Sequence, residues 1–158
     1  MIAGRRGAGP EAAYTILAFD FGRKRIGMAA GDTVTATGAP RPAAAVLAGG
    51  PDWSAIEREV RGLRPRLLVV GVPYNADGTP GALTEAARRF GTELSERFGL
   101  RVAHVDERFS SLEASAALKA GRATGTRRRR VRREDVDSAA AAVILERWLT
   151  GEHERSGE

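Results

Sequence analysis

Apolar runs and helical spacings alternate along this chain. The segment Thr15-Ile16-Leu17-Ala18-Phe19 is apolar almost throughout and closes on Asp20. A second run, Arg66 to Val72, is ended by Pro73, and a third, Leu100 to Asp106, is followed by Glu107. Continuous runs of this length predict strands covered on both faces of a sheet. After Asp20 the pattern changes to a turn at Phe21-Gly22-Arg23-Lys24-Arg25, a strand Ile26 to Ala30, a turn at Gly31-Asp32 and a further strand between Val34 and Leu47 broken by Pro40 and Pro42. That start predicts an antiparallel meander.

Helical spacing takes over from Pro51-Asp52 to about Leu63, with Trp53, Ile56 and Val60 on one side. It returns from Leu83 to Phe98, closed by Gly99, in a short stretch Leu112 to Ala120, and over 136–149. Helices lying between strands resemble βαβ crossovers. The expected fold is α/β, a mixed five-stranded sheet with helices on both faces. It is expected to occupy 14–150, between a disordered extension over 1–13 and a polar tail over 151–158.

Composition narrows the setting. With 158 residues and 42% hydrophobic content, the chain suits one domain with a real core. The longest apolar run near the C-terminus, Ala139 to Leu145, is far below the ~20 residues that cross a bilayer, so no membrane role is expected. The start, Met1 to Ala13, lacks the apolar stretch of a secretory signal. There are no cysteines, which excludes thiolate metal sites and points to the cytoplasm, and two histidines are too few for a histidine-built zinc site.

The net charge of +5 favours polyanionic partners. Of the 25 basic residues only Lys24 and Lys119 are lysine. Arginine enrichment together with abundant Ala and Gly is also what a skewed gene composition produces, so placement is the informative part. From Gly121 to Arg133 there are seven arginines and no acid, six of them at Arg127, Arg128, Arg129, Arg130, Arg132 and Arg133. Such a block ordinarily repels itself and stays solvated. Here it leads directly into the last helix, where it could hold a phosphate backbone.

Three carboxylates carry the candidate chemistry. Asp20 closes one buried strand, Glu107 follows another, and Asp137 opens the last helix. An acid at the margin of a buried element costs desolvation free energy unless a positive group, commonly a metal ion, lies opposite. Three such acids brought together suit a Mg²⁺-dependent site for phosphodiester cleavage. In an open sheet, ligands collect beyond the carboxyl ends of the strands, where Asp20, the loop after Pro73 and Glu107 all fall. Asp20 could instead be a plain turn aspartate, and Gly22 and Gly27 serve either a tight turn or a close approach to phosphate or metal. Asp106 and Glu107 are adjacent and face opposite sides of a strand, so one of them is expected to be a ligand. The longer side chain favours Glu107, with Arg108 available to pair the other. From Asp137, the helical positions Ala140, Ala141, Ile144, Leu145 and Trp148 form an apolar stripe, so Asp137 heads the core-facing side. A cap is the alternative, although Glu134 and Asp135 already suit that. Asn75 and Asp77 read first as turn residues.

The motifs Ala18-Phe19-Asp20-Phe21-Gly22-Arg23-Lys24-Arg25-Ile26-Gly27, Val70-Gly71-Val72-Pro73-Tyr74-Asn75-Ala76-Asp77-Gly78, Asp106-Glu107-Arg108-Phe109-Ser110-Ser111-Leu112-Glu113-Ala114 and Val136-Asp137-Ser138-Ala139-Ala140, in that order, resemble the YqgF family. Its members are described as Holliday junction resolvases and as nucleases of pre-16S ribosomal RNA. The resemblance implies a ribonuclease H-like fold with acidic ligands for Mg²⁺ or Mn²⁺, and it points to Asp20, Glu107 and Asp137. It also implicates the Asn75 to Gly78 loop and Arg108. Arg23 stands where many members have Thr, and Phe109-Ser110-Ser111 replaces a Leu-Thr-Thr or Leu-Ser-Thr run.

The expected function is a nuclease using two ions about 4 Å apart, bridged by Asp20, with Glu107 and Asp137 each completing one ion's shell. Its expected substrate is pre-16S ribosomal RNA, with a DNA junction as the alternative. Nucleic acid would be held by Arg23, Lys24, Arg25, Asn75, Asp77, Arg108 and the basic run. A monomer or weak homodimer is expected, junction cleavage requiring the two-fold dimer. Two rivals remain: a non-catalytic nucleic-acid-binding protein of the same fold, and half of an actin-like phosphotransferase, whose phosphate loop Phe19-Asp20-Phe21-Gly22 also resembles.

Overall fold

Strand β1, Thr15–Phe21, has four fully buried residues in succession, Ile16 to Phe19, and hydrogen-bonded neighbours on both sides. Because helices cover both of its faces, every position must be apolar, and no alternation is visible. The computed structural model describes residues 13–35, 37–75, 77–106 and 133–150. After β1 come β2 (Arg25–Asp32), β3 (Gly38–Leu47), β4 (Gly50–Pro51), α1 (Trp53–Leu63), β5 (Leu67–Val72), α2 (Thr84–Phe98), β6 (Arg101–Asp106) and α3 (Arg133–Leu149). The sheet order is β4-β3-β2-β1-β5-β6. Pairings β1–β2, β2–β3 and β3–β4 are antiparallel, whereas β1–β5 and β5–β6 are parallel. The expected meander and crossovers are therefore present.

Three expectations need correction. The sheet has six strands, not five, because the two-residue β4 folds back on Val46 and Leu47. A two-residue strand has no period to read. Strand β3 continues through Pro40 and Pro42, with a bulge in its pairing to β2 between Arg41 and Ala44. There it is the sheet's outer strand, so the missing amide hydrogens cost no partner. Helix α3 begins at Arg133 rather than 136, so Asp137 is its fifth residue and does not open it. The expected helix Leu112 to Ala120, both chain ends, and residues 107–132 lie outside the described residues.

Two apolar layers hold the sheet. On one face, Leu17, Phe19, Leu68 and Val70 pack against Ile56 and Val60 of α1 and Ala87, Phe90 and Leu94 of α2. On the other, Ile16, Ala18, Leu67, Val69, Ala103 and Val105 pack against Ile144 and Leu145 of α3. Of the stripe expected on α3, Ala140, Ala141, Ile144 and Leu145 are each at most 1% exposed, and Trp148 is half-buried against the same layer. Small residues let α3 approach β2 and β3 closely. A Cβ at Gly31 would lie 2.1 Å from the Thr37 carbonyl oxygen and 2.8 Å from Leu145 Cδ2. Gly31→Ala is therefore expected to cost about 2 kcal/mol by overpacking, read as a lower urea midpoint.

Local devices end the helices. Asp52 caps α1, its carboxylate accepting from the Ser54 hydroxyl at 2.8 Å and the Ala55 amide at 3.4 Å. Those bonds hold its pKa below the ordinary value, as the Thr35 and Val34 amides do for Asp32. With folded values below the unfolded one, both contributions are present above about pH 4 and vanish as pH falls through the folded values. At the other end of α1, Arg64 takes the left-handed conformation, φ 52°, where a side chain is strained. Arg64→Gly is expected to raise stability by about 0.5–1 kcal/mol, measurable by urea unfolding, the relief of strain outweighing the added freedom of the unfolded chain.

Candidate metal and nucleic-acid site at the carboxyl ends of the parallel strands

Asp20 is the penultimate residue of β1, half-buried, and its two neighbours across the sheet are both glycine: Gly27 on β2 and Gly71 on β5. No side chain from either partner crowds that row. Along β1, Ile16 and Ala18 pack toward α3, whereas Leu17 and Phe19 pack toward α1 and α2. Strand alternation therefore assigns position 20 to the α3 face. The apolar layer stops there and an acid with open flanks begins.

The neighbouring strand ends are level with it. Gly71 pairs with Val105, and Val72 with Asp106. Strands about 4.8 Å apart put the backbone of Val105 about 10 Å from that of Asp20. On β6, Ala103 and Val105 pack with α3 and Val102 packs with the α2 layer, so Asp106 falls on the α2 side. Arg147 Nη1 donates to the Asp106 carbonyl oxygen at 3.4 Å, tying α3 to the end of β6. Glu107, the next residue, lies outside the described residues, as do Arg108, Arg127, Arg128, Arg129, Arg130 and Arg132.

Helix α3 is fastened at the level of this row. Ser138, 3% exposed, donates its hydroxyl to the Arg41 carbonyl oxygen at 2.7 Å. Arg41 pairs with Met28, and Met28 with Phe19, one row below Asp20 and Gly27. The Arg41 guanidinium is gripped by Glu59 of α1 at 2.8 Å. The β2–β3 register slips between Ile26 and Met28, leaving a bulge beside Gly27 of the kind that often borders functional sites. Position 137 is immediately before Ser138 and, at 3.6 residues per turn, shares the stripe of Ala141 and Ile144. The side chains of Asp137 and Arg133 are outside the described residues. Of the three expected metal ligands, the described side chains thus include Asp20 alone, and no group of three potential ligands occurs among the described residues.

The expected nucleic-acid contacts divide in two. Arg23 and Lys24 are exposed in the β1–β2 turn, and Arg25 starts β2 half-buried. Gly22 makes that turn possible, since a Cβ would lie 2.6 Å from the Arg25 carbonyl oxygen. Asn75 and Asp77 instead build their own loop. Asn75 Nδ2 donates to Thr79 Oγ1 at 2.9 Å and to the Pro80 carbonyl at 3.2 Å, and Asp77 Oδ1 accepts from the Thr79 amide at 3.0 Å. That loop and the Arg23 turn border a cleft of about 270 Å³, lined also by Pro73, Tyr74, Gly81 and Leu83. Sequence reasoning passed over Tyr74, Ser138 and Arg147. The first two had signals, as they sit inside motifs already singled out, whereas Arg147 had none.

The family model described as "RuvX: Holliday junction resolvase" matches residues 14–151. A protein of Edwardsiella ictaluri (strain 93-146) named "Putative pre-16S rRNA nuclease" is 43% identical over 139 residues, covering 88% of this chain and 96% of its own. A protein of Yersinia pestis (strain Pestoides F) with the same name is 45% identical over 137 residues, covering 85% and 94%. Among solved structures, T. thermophilus RuvC in complex with a Holliday junction substrate superimposes with a TM-score of 0.53 at 12% identity, over 89% of this chain and 98% of that one. At that identity the likeness establishes the fold, which is ribonuclease H-like. The chain belongs to the RuvX family, the one its motifs resemble under the name YqgF.

Proposed function

We propose that this chain is a nuclease that hydrolyses phosphodiester bonds of precursor 16S ribosomal RNA, in the cytoplasm, with the help of divalent cations. The observation that carries the reading is Asp20: a half-buried carboxylate at a strand's carboxyl end, flanked by Gly27 and Gly71, where α3 is fastened by Ser138. The names of relatives at 43–45% identity support the RNA substrate. No helix among the described residues is long and apolar enough to cross a membrane, which is consistent with that location.

The donor set fits a hard cation, since carboxylate oxygens suit Mg²⁺ or Mn²⁺. Asp20, Glu107 and Asp137 are the proposed ligands. Asp106 ends β6 on the α2 side, away from the face of Asp20, which favours Glu107 over Asp106 as the ligand. The bound cation would supply Lewis-acid polarisation of the phosphodiester and a more acidic water. Arg23, Lys24 and Arg25 hold the strand's phosphates beside Asp20, positioning the phosphorus for in-line attack by water and departure of the 3′ oxygen. Arg108 and the basic run Arg127 to Arg133 extend that grip. Replacing Arg127, Arg128, Arg129 and Arg130 with Ala is expected to flatten the dependence of log binding constant on log salt by about 3, since each of four phosphate contacts contributes about 0.7 to 0.9. An unchanged slope would remove the run from the interface.

A second reading, cleavage of four-way DNA junctions, is favoured by the family model's description. Matched structured RNA and junction DNA substrates, tested with Mg²⁺ and with Mn²⁺, separate the two. Faster cleavage of RNA is expected, by a monomer. Cleavage confined to junctions and dependent on a dimer would select the resolvase, and binding without cleavage of either would sink the enzymatic reading.

A further inference from the structure

We infer that the cleft between the β1–β2 turn and the loop after β5 receives one unpaired nucleotide of the substrate strand, next to the bond being cut. The inference rests on the nuclease reading for its substrate and on the cleft for everything else. Gly71 borders Asp20 on β5, and Pro73, two residues on, already lines the cleft. Two extended residues span about 7 Å, so a strand whose phosphate lies at Asp20 reaches the cleft by passing over the end of β5.

The cleft's chemistry is that of a nucleotide. Tyr74, Pro73 and Leu83 give it apolar and aromatic walls, and Arg23 supplies the cation. A site for phosphate alone would need more cations, and a site for an apolar ligand would not need Arg23. The Asn75 amide nitrogen is occupied by Thr79 and Pro80, which turns Oδ1 into the acceptor on that side. A Cβ at Gly81 would lie 2.9 Å from that oxygen, so glycine keeps the space open. The walls are also held in place. Arg88 donates to the Tyr74 hydroxyl, and Thr84 joins the Pro73 carbonyl to the Gly81 amide. At about 270 Å³ the cleft has room for a nucleobase. Stacking of a base on an aromatic ring tolerates any sequence, as backbone-directed cleavage requires.

The test uses the full chain carrying Asp20→Asn, so that binding is read without cleavage, and a short RNA with the fluorescent base 2-aminopurine. The single strand should show quenching on binding, the same strand in a duplex should not, and Tyr74→Leu should abolish quenching and weaken binding about tenfold. Tyr74→Phe should retain the signal. Unfolding midpoints identify a misfolded variant, in which case Leu83→Ala, on the cleft's other wall, should reduce quenching of the single strand and leave duplex binding unchanged. Equal quenching by Tyr74→Leu, quenching in the duplex, or equal quenching by free 2-aminopurine riboside monophosphate would overturn the inference. In the Asp20 enzyme, an unpaired flank should accelerate cleavage about tenfold and Tyr74→Leu should remove that preference. Absence of all cleavage would refute the nuclease reading alone, because the fluorescence signal is read without it.

Discussion

Asp20→Asn is expected to reduce phosphodiester cleavage about a thousandfold or more while leaving the fold and nucleic-acid binding in place. Loss of a carboxylate ligand removes several kcal/mol of charge stabilisation at the phosphoryl group, and each 1.4 kcal/mol is about a factor of ten in rate. Asn has the same shape as Asp, and Asp20 sits between Gly27 and Gly71, so no side chain on either paired strand need move to accommodate it. The unfolding midpoint should therefore shift little. The measurement is single-turnover cleavage of a labelled RNA, with anisotropy on the same substrate for binding. Wild-type rates from a variant of verified sequence would refute a metal-ligating role for this residue.

Phe90→Ala is expected to be the most damaging substitution for stability, at about 4 kcal/mol. Phe90 is 2% exposed. Its ring lies 5.5 Å from that of Phe19, 5.1 Å from Phe21 and 5.6 Å from Trp53, so it joins α2 to β1 and α1 at once. Truncation loses the transfer free energy and leaves a cavity that three separate elements cannot close together. Against a typical total of about 5–15 kcal/mol, that is a large share. Urea unfolding should show a much lower midpoint with an unchanged slope. A loss under about 1 kcal/mol would mean that the aromatic cluster rearranges to fill the space.

The elements that local pattern made legible are those with a period or a punctuating residue. Burial on both faces made β1 and β5 continuous apolar runs, Asp52 and Gly99 marked helix ends, and Ala140, Ala141, Ile144 and Leu145 marked the packed side of α3. The elements missed had no such mark. Strand β4 exists only because Gly50 and Pro51 can fold back on Val46 and Leu47, and the first turn of α3 is a charged segment without an apolar stripe. Pro40 and Pro42 misled because a proline breaks a strand only where a neighbour needs its amide hydrogen; β4 pairs only with Val46 and Leu47, so nothing pairs on the prolines' outer side, and Pro42 falls in the β2–β3 bulge. In the site, Asp20 was legible as an acid ending a buried strand. Tyr74 had only its place inside a singled-out motif, because a tyrosine after Pro73 looks the same in sequence whether it borders a cleft or lies on a bare surface.

The chain's own order of residues determined which segments become strands and helices, where acids end them, and the family to which they belong, because these are properties of neighbours along the backbone. Strand pairing, register and face are set by burial between distant segments, and only folding decides them. Tertiary structure alone therefore placed Gly27 and Gly71 on either side of Asp20, fastened Ser138 of α3 to Arg41 of β3, and opened a cleft between two loops fifty residues apart in the chain.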